Sequence, residues 1–209
     1  MEKEFNEIIA DEKTLREIIG YPSDMNANKV IPILDDHCKA FIARSPYLLL
    51  ASSDGDGNLD ISPKGDPPGF VQILDNQTIA IPDRIGNGRI DTLTNIVEND
   101  QVALFFLIPG KRETLRVSGS AIIVRDNWLR EQMAVKGKLP NLAIVVKVQR
   151  AFMHCAKSMI RSKIWQPDLW QDSSDMSSLS RILIDHANLS CSVDELQEFI
   201  DESYEKRLY

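Results

Sequence analysis

Cysteine is scarce. Cys38, Cys155 and Cys191 are the 3 in 209 residues, widely separated and without a CxxC pair. That excludes a disulfide framework and a thiolate zinc site, and it is the usage of a reduced, cytoplasmic setting. Long apolar runs are also missing. QVALFFLIPG and LAIVVKV fall far short of the roughly 20 residues a bilayer-crossing helix needs, so no membrane span is expected. The opening MEKEFNEIIADEKTLREIIG has neither a basic start nor an apolar run, and no secretory signal is expected. Nor is there a basic excess: 24 Lys plus Arg against 31 Asp plus Glu leave a net charge of -7. Nonspecific attraction to nucleic acid or an anionic membrane is therefore not expected, and any anion must be held by a local cluster. No repeat or low-complexity tract interrupts the chain.

What is present is ordinary globular composition, 43% apolar and 26% charged. At about 150 residues per domain the length suits one dominant core with appended segments. We divide it into an N-terminal helical segment (1–44), a β-rich unit (45–170) and a C-terminal helical tail (171–209). The first segment reads as two helices, one ending near Gly20-Tyr21-Pro22 and one placing Leu34, Cys38, Phe41 and Ile42 on a shared face. From Tyr47 the signal becomes strand-like. YLLLASS, a DGDGN turn and LDIS predict a hairpin, since Gly and Asn tolerate the positive φ such turns require. GFVQIL, QTIAIP, QVALFFLI, TLRVSGSAIIV and LAIVVKVQRAFMHC continue the series, with helices expected over DTLTNIVEN, over Asn127 to Ala134, and from Ala156 to Pro167. Two more helices are expected in the tail, the second opened by the capping-box pattern Ser192-Val193-Asp194-Glu195.

Several ligand-like patterns dissolve on inspection. Asp54 to Asn58 is a turn rather than a calcium loop, because an EF-hand would need Gly at Leu59 and an acid at Gly65. Gly86-Asn87-Gly88 lacks the third glycine and the βαβ setting of a dinucleotide fingerprint. Asp35, Asp36, His37 and Cys38 are consecutive on a helix and cannot converge on one metal. His154 and Cys155, as adjacent strand residues, face opposite sides. No metal site and no catalytic nucleophile is assigned.

Cations in the middle of this acidic chain are more informative. Lys64 follows Ser62-Pro63, Arg84 and Arg89 flank a glycine-containing loop that leads into a helix, and Arg116 lies within a strand. Guanidinium groups beside helix-start amides suit a phosphate, while pairing of Arg84 and Arg89 with Asp83 and Asp91 is an equally open alternative. Lys157 and Arg161 share a helix face with Trp165 one turn on, which suits either an anion-and-ring site or a plain cationic helix with a packed Trp.

The ordered pieces YLLLASSDGDGNLDISPKGDPPGFV, IPDRIGNGRIDTLTNIVEND, QVALFFLIPG, ETLRVSGSA and HCAKSMIRSKIW resemble the pyridoxamine 5'-phosphate oxidase-like family of FMN-binding split barrels. The resemblance runs from about Ala43 to Trp165. It implies a mainly β fold with helices, a six-stranded Greek-key split β-barrel, and a homodimer with FMN between subunits. It also implies that Asp60, Ser62, Pro63 and Lys64 line the flavin and that Arg84, Asn87 and Arg89 hold phosphate and ribityl oxygens. Thr114 and Arg116 would lie near the ring, with Lys157, Arg161 and Trp165 coming from the partner subunit or closing the pocket. Two departures, Gly88-Arg89 in place of an Arg-rich pair and no Arg-x-His segment in the tail, weigh against oxidation of pyridoxamine phosphate. The expected function is an FMN-dependent oxidoreductase acting on a small molecule. The alternative is a non-catalytic flavin, deazaflavin or haem binder with the same barrel, for which His154 is the residue to watch.

Overall fold

Alternation between buried and half-exposed positions is clearest in the stretch YLLLASS, and it defines a strand β1 (Tyr47–Ser53) that sinks Leu48, Leu50 and Ser52 while leaving Tyr47, Leu49 and Ala51 toward the other face. In the computed structural model, which describes residues 5–209, six further strands follow: β2 (Leu59–Gly65), β3 (Gln72–Ile73), β4 (Thr78–Asp83), β5 (Gln101–Leu107), β6 (Thr114–Val124) and β7 (Leu142–His154). They form one sheet in the order β2-β1-β5-β6-β7-β4-β3. Every ladder is antiparallel, and β2 and β3 are open edges. The sheet therefore has seven strands where the resemblance implied six. β3 is the shortest, because Pro67 and Pro68 just before it have no N–H to donate and Phe70 N turns back onto Pro67 O at 3.2 Å.

The inner face carries the core: Leu48, Leu50, Leu104, Phe106, Leu115, Val117, Ile144 and Val146 are almost fully buried together. β6 reaches β7 through a register shift between Ser118 and Gly119. A Cβ at Gly119 would overlap the Lys147 carbonyl oxygen, so this bulge tolerates no side chain.

Three helices precede the sheet, α1 (Glu12–Ile19), α2 (Asp24–Asn28) and α3 (Asp36–Ile42), where the spacing predicted two. Asp35 caps α3 by accepting from Cys38 N at 2.8 Å, which ends the helical face before Leu34, although Leu34 still enters the core beside Cys38, Phe41 and Ile42. α1 and α2 bury no residue. Between β4 and β5, α4 (Asp91–Glu98) lies on β1, β2 and β6 and is tied down by polar bonds, Asn95 Nδ2 to Ser52 Oγ at 3.0 Å and Asn99 Nδ2 to Ser53 Oγ at 2.7 Å. α5 (Asn127–Gln132) puts Leu129 into a satellite core with Ala80, Met133 and Ala143. After β7 come α6 (Lys157–Ser162), a 3-10 turn at Pro167–Leu169, then α7 (Leu179–Ala187) and α8 (Val193–Lys206), which pack on each other. The capping box at Ser192 and Glu195 is formed. Among the described residues no helix is long and apolar enough to cross a membrane.

Candidate functional site

Because β2 is an edge strand, one of its edges has no neighbouring strand, and the face it shares with Leu48, Leu50 and Ser52 of β1 is open there. Asp60, Ser62 and Lys64 alternate along that face, and all are half-buried. Opposite them stand the end of β4 and the loop Arg84–Ile90 leading into α4. The space between is a cleft of about 810 Å³, inside the range of small-molecule and cofactor sites. Seven of the sequence-selected residues line it: Asp60, Ser62, Pro63, Lys64, Arg84, Asn87 and Arg89. Three cations separated in the chain thus line one cleft, Lys64 from the β2 side and Arg84 and Arg89 from the side opposite.

Each of those cations already has a carboxylate. Lys64 Nζ lies 3.8 Å from Asp83 Oδ1, joining the β2 and β4 sides of the cleft. Burial pushes the Asp83 carboxyl above the ordinary value of 3.8, and Lys64 opposes that shift. Arg84 Nε donates to Asp66 Oδ2 at 2.6 Å and its Nη2 to Met133 O at 2.8 Å, in a pair whose side chains are 16% and 1% exposed. Arg89 donates to Asp91 at 2.7 Å, but here the side chains are 73% and 42% exposed. Of the pairings read from the sequence, Arg89 with Asp91 forms, whereas Arg84 takes Asp66 and leaves Asp83 to Lys64.

These pairs differ in how readily they yield to an incoming anion. A solvent-exposed ion pair is worth roughly 0–1 kcal/mol, so Arg89 can leave Asp91 at little cost. Withdrawing Arg84 would strand the almost fully buried Asp66, which costs several times more. The loop is also shaped for close approach. Gly88 has φ +76° and would place a Cβ in open space, and Ile90, the residue before α4, has φ +55°. No side chain caps the start of α4, and Asn87 Oδ1 accepts from Arg89 N at 3.0 Å. Asp60, by contrast, is held by Thr92 Oγ1 at 3.1 Å.

Thr114, Arg116, Lys157, Arg161 and Trp165 do not line this cleft. Arg116 lies on the outer sheet face in a row of directly paired residues, Pro63, Leu49, Phe105, Arg116 and Phe152, crossing β2, β1, β5, β6 and β7. Its guanidinium is 5.8 Å from the Phe105 ring and 5.9 Å from Phe152. Thr114 pairs with His154 on the same face. Thr114 Oγ1, His154 Nδ1 and Trp165 Nε1 are buried without a hydrogen-bond partner among the described residues. Burial first, then Arg116 and Lys29, lower the His154 pKa from its ordinary value. His154 is not a wall of the cleft. Among the described residues no group of three or more His, Cys, Asp or Glu is placed to hold a metal.

Sequence reasoning passed over Asp66, Asp83 as a cleft carboxylate, and Leu208 and Tyr209, which close one side of the cleft. Asp83 ends a strand and was legible from its position; nothing in the pattern of the tail marks Tyr209.

The profile for pyridoxamine 5'-phosphate oxidase matches residues 34–155, more than half of the chain. No curated protein matches. Among solved structures, HupZ of Group A Streptococcus is 19% identical, with 57% of this chain and 93% of that one covered and a TM-score of 0.47. A nimC/nimA family protein of Clostridium acetobutylicum is 15% identical, covering 59% and 91%, with a TM-score of 0.43. An F420 reductase is 17% identical, covering 56% and 94%, with a TM-score of 0.39.

Proposed function

The chain belongs to the pyridoxamine 5'-phosphate oxidase family, and from that premise we propose that it is an FMN-dependent oxidoreductase of a small substrate, working as a homodimer. One observation carries the reading: Lys64, Arg84 and Arg89, from separate parts of an acidic chain, converge on a cleft of cofactor size beside an uncapped helix start. Arg89, released from Asp91, binds the phosphate, assisted by the loop amides, and Lys64 and Asn87 take further oxygens. Arg84 stays on Asp66 and contributes its charge from behind. FMN, when bound, supplies the electron-transfer chemistry, and no protein nucleophile is required.

The second copy completes the site. Thr114, Arg116, Lys157, Arg161 and Trp165 lie outside their own chain's cleft, and among the described residues two of the three buried polar atoms without partners, Thr114 Oγ1 and His154 Nδ1, belong to directly paired residues of β6 and β7, the third, Trp165 Nε1, lying in the segment after β7. Such atoms are costly to leave unpaired in a finished structure. The outer row begins at Pro63, itself a wall of the cleft, so the two surfaces are continuous. A partner docked across the row brings its own outer-face donors to the ring end of the cofactor, and residues 45–170 form the unit that does this. In that assembly β3 is an added edge strip on the six strands of a split barrel.

The visible spectrum of the purified protein, followed by anaerobic addition of NADH and NADPH, tests the reading. A bound-flavin spectrum that bleaches on reduction is expected. Colourless protein that does not take up added FMN overturns it. Flavin retained but never reduced assigns the non-catalytic binder, and a Soret band assigns haem, which the position of His154 outside the cleft disfavours.

A further inference from the structure

Asp66 is an almost fully buried carboxylate with two customers. Its Oδ2 accepts from Arg84 Nε at 2.6 Å and its Oδ1 accepts from the Tyr209 hydroxyl at 2.8 Å. Tyr209 comes from the tail, 143 positions away in sequence, yet it is anchored from several sides. Lys138 Nζ donates to the Tyr209 main-chain oxygen at 2.8 Å. The Arg84 guanidinium sits 5.5 Å from the Tyr209 ring centre and Lys136 Nζ 5.9 Å from it. Leu208 and Tyr209 both face the cleft.

The cleft is otherwise poor in aromatic surface. Phe70 is its other aromatic wall residue, and only 8% of it is exposed. A flat ring entering the cleft therefore meets in Tyr209 the more exposed of its two aromatic wall residues, among the described residues. The two cations over that ring hold its plane, and the bond to Asp66 fixes its edge, so the residue is pre-set rather than recruited.

We propose that Leu208 and Tyr209 are a wall of the ligand site: Tyr209 gives a planar, phosphate-bearing ligand its aromatic contact and shields Arg84 through the shared Asp66. The tail is thus a specificity-determining part of the site rather than a remote cover. The ligand assignment rests on the FMN reading above, whereas the shielding of Arg84 does not.

Two measurements on the full chain test it. In the first, release of FMN is followed by stopped-flow fluorescence in the parent, in Tyr209→Phe and in Leu208→Ala/Tyr209→Ala. The double variant is expected to release FMN about tenfold faster, a loss of roughly one good contact, while Tyr209→Phe keeps the ring and stays within about threefold of the parent. Equal release from the parent and the double variant overturns the wall. In the second, phenylglyoxal labelling of Arg84 is timed by peptide mass spectrometry without added flavin. Labelling about fivefold faster in the double variant supports the shield, since loss of the ring opens the guanidinium to reagent; equal labelling overturns it. A parent that binds no FMN removes the cofactor reading and the aromatic contact with it, and the labelling then decides whether residues 208–209 guard Arg84.

Discussion

The cleft and the outer sheet face each carry cations, but they treat them in opposite ways. In the cleft, Lys64, Arg84 and Arg89 each meet an aspartate. On the outer face Arg116, and after β7 Lys157 and Arg161, meet none among the described residues, and Thr114, His154 and, further along, Trp165 hide polar atoms with no partner among them. The cleft is electrostatically settled within one chain. The outer face is unfinished, and a second copy is what our reading brings to it.

Substitutions on each surface put that contrast to the test. The largest effect is expected from Gly119→Ala, because β6 carries the outer face and its bulge admits no Cβ against the Lys147 carbonyl. A loss of about 3 kcal/mol or more is expected, seen as a fall in Tm of roughly 10 °C, with both surfaces failing together. Asp66→Ala should cost nearly as much, about 3 kcal/mol in denaturant unfolding, since it leaves Arg84 buried and unpaired. Arg89→Ala separates binding from folding. Stability should change by no more than about 0.5 kcal/mol, because its pair is exposed, while FMN affinity falls about tenfold through one lost charge-assisted bond.

A mixing experiment then asks whether the site spans two copies. Arg89→Ala damages the cleft and Arg161→Ala the outer side. If each site draws on both chains, subunits exchanged at random should regain about one quarter of the wild-type flavin sites by a count of bound flavin, because one site in each mixed dimer is intact. No recovery would place both residues in one chain's site.

The smallest effect concerns pH. Burial raises the Asp83 carboxyl, so its stabilising contribution is complete below the ordinary value of 3.8 and is lost as pH rises through the raised one. Above that point a second negative charge faces the bound phosphate. FMN affinity of the parent relative to Asp83→Asn should therefore improve as pH falls through the Asp83 titration, and parallel profiles for the two proteins would remove Asp83 from the site.

Much of this was legible in the sequence where local physics decides. Strand-like runs bounded by turn residues marked β1 and β6, the DGDGN turn marked the first hairpin, and Ser192 with Glu195 marked the start of α8. Cleft residues clustered in two stretches, Asp60–Lys64 and Arg84–Arg89, because an edge strand and the loop facing it are each continuous in the chain. Partner choice was not legible. Arg84 pairs with Asp66 rather than its neighbour Asp83 although β2 and β4 stand near opposite ends of the sheet order, so the two loops meet across the cleft and not along the sheet, and Tyr209 reaches the same aspartate across 143 positions. Such long-range pairings leave no local periodicity. The short α2 was missed for a related reason: it buries nothing, so no apolar spacing announces it.

A β-branched residue seldom accepts a left-handed backbone, yet Ile90 does so directly ahead of α4, with its side chain 60% exposed and no packing reward to offset it. The turn is held in tension of about 1–2 kcal/mol by the elements on either side. Under our reading this is preorganisation: the strain is already carried by the fold, the first helical amides beside the cleft stay uncapped, and holding a phosphate there would not require the chain to bend.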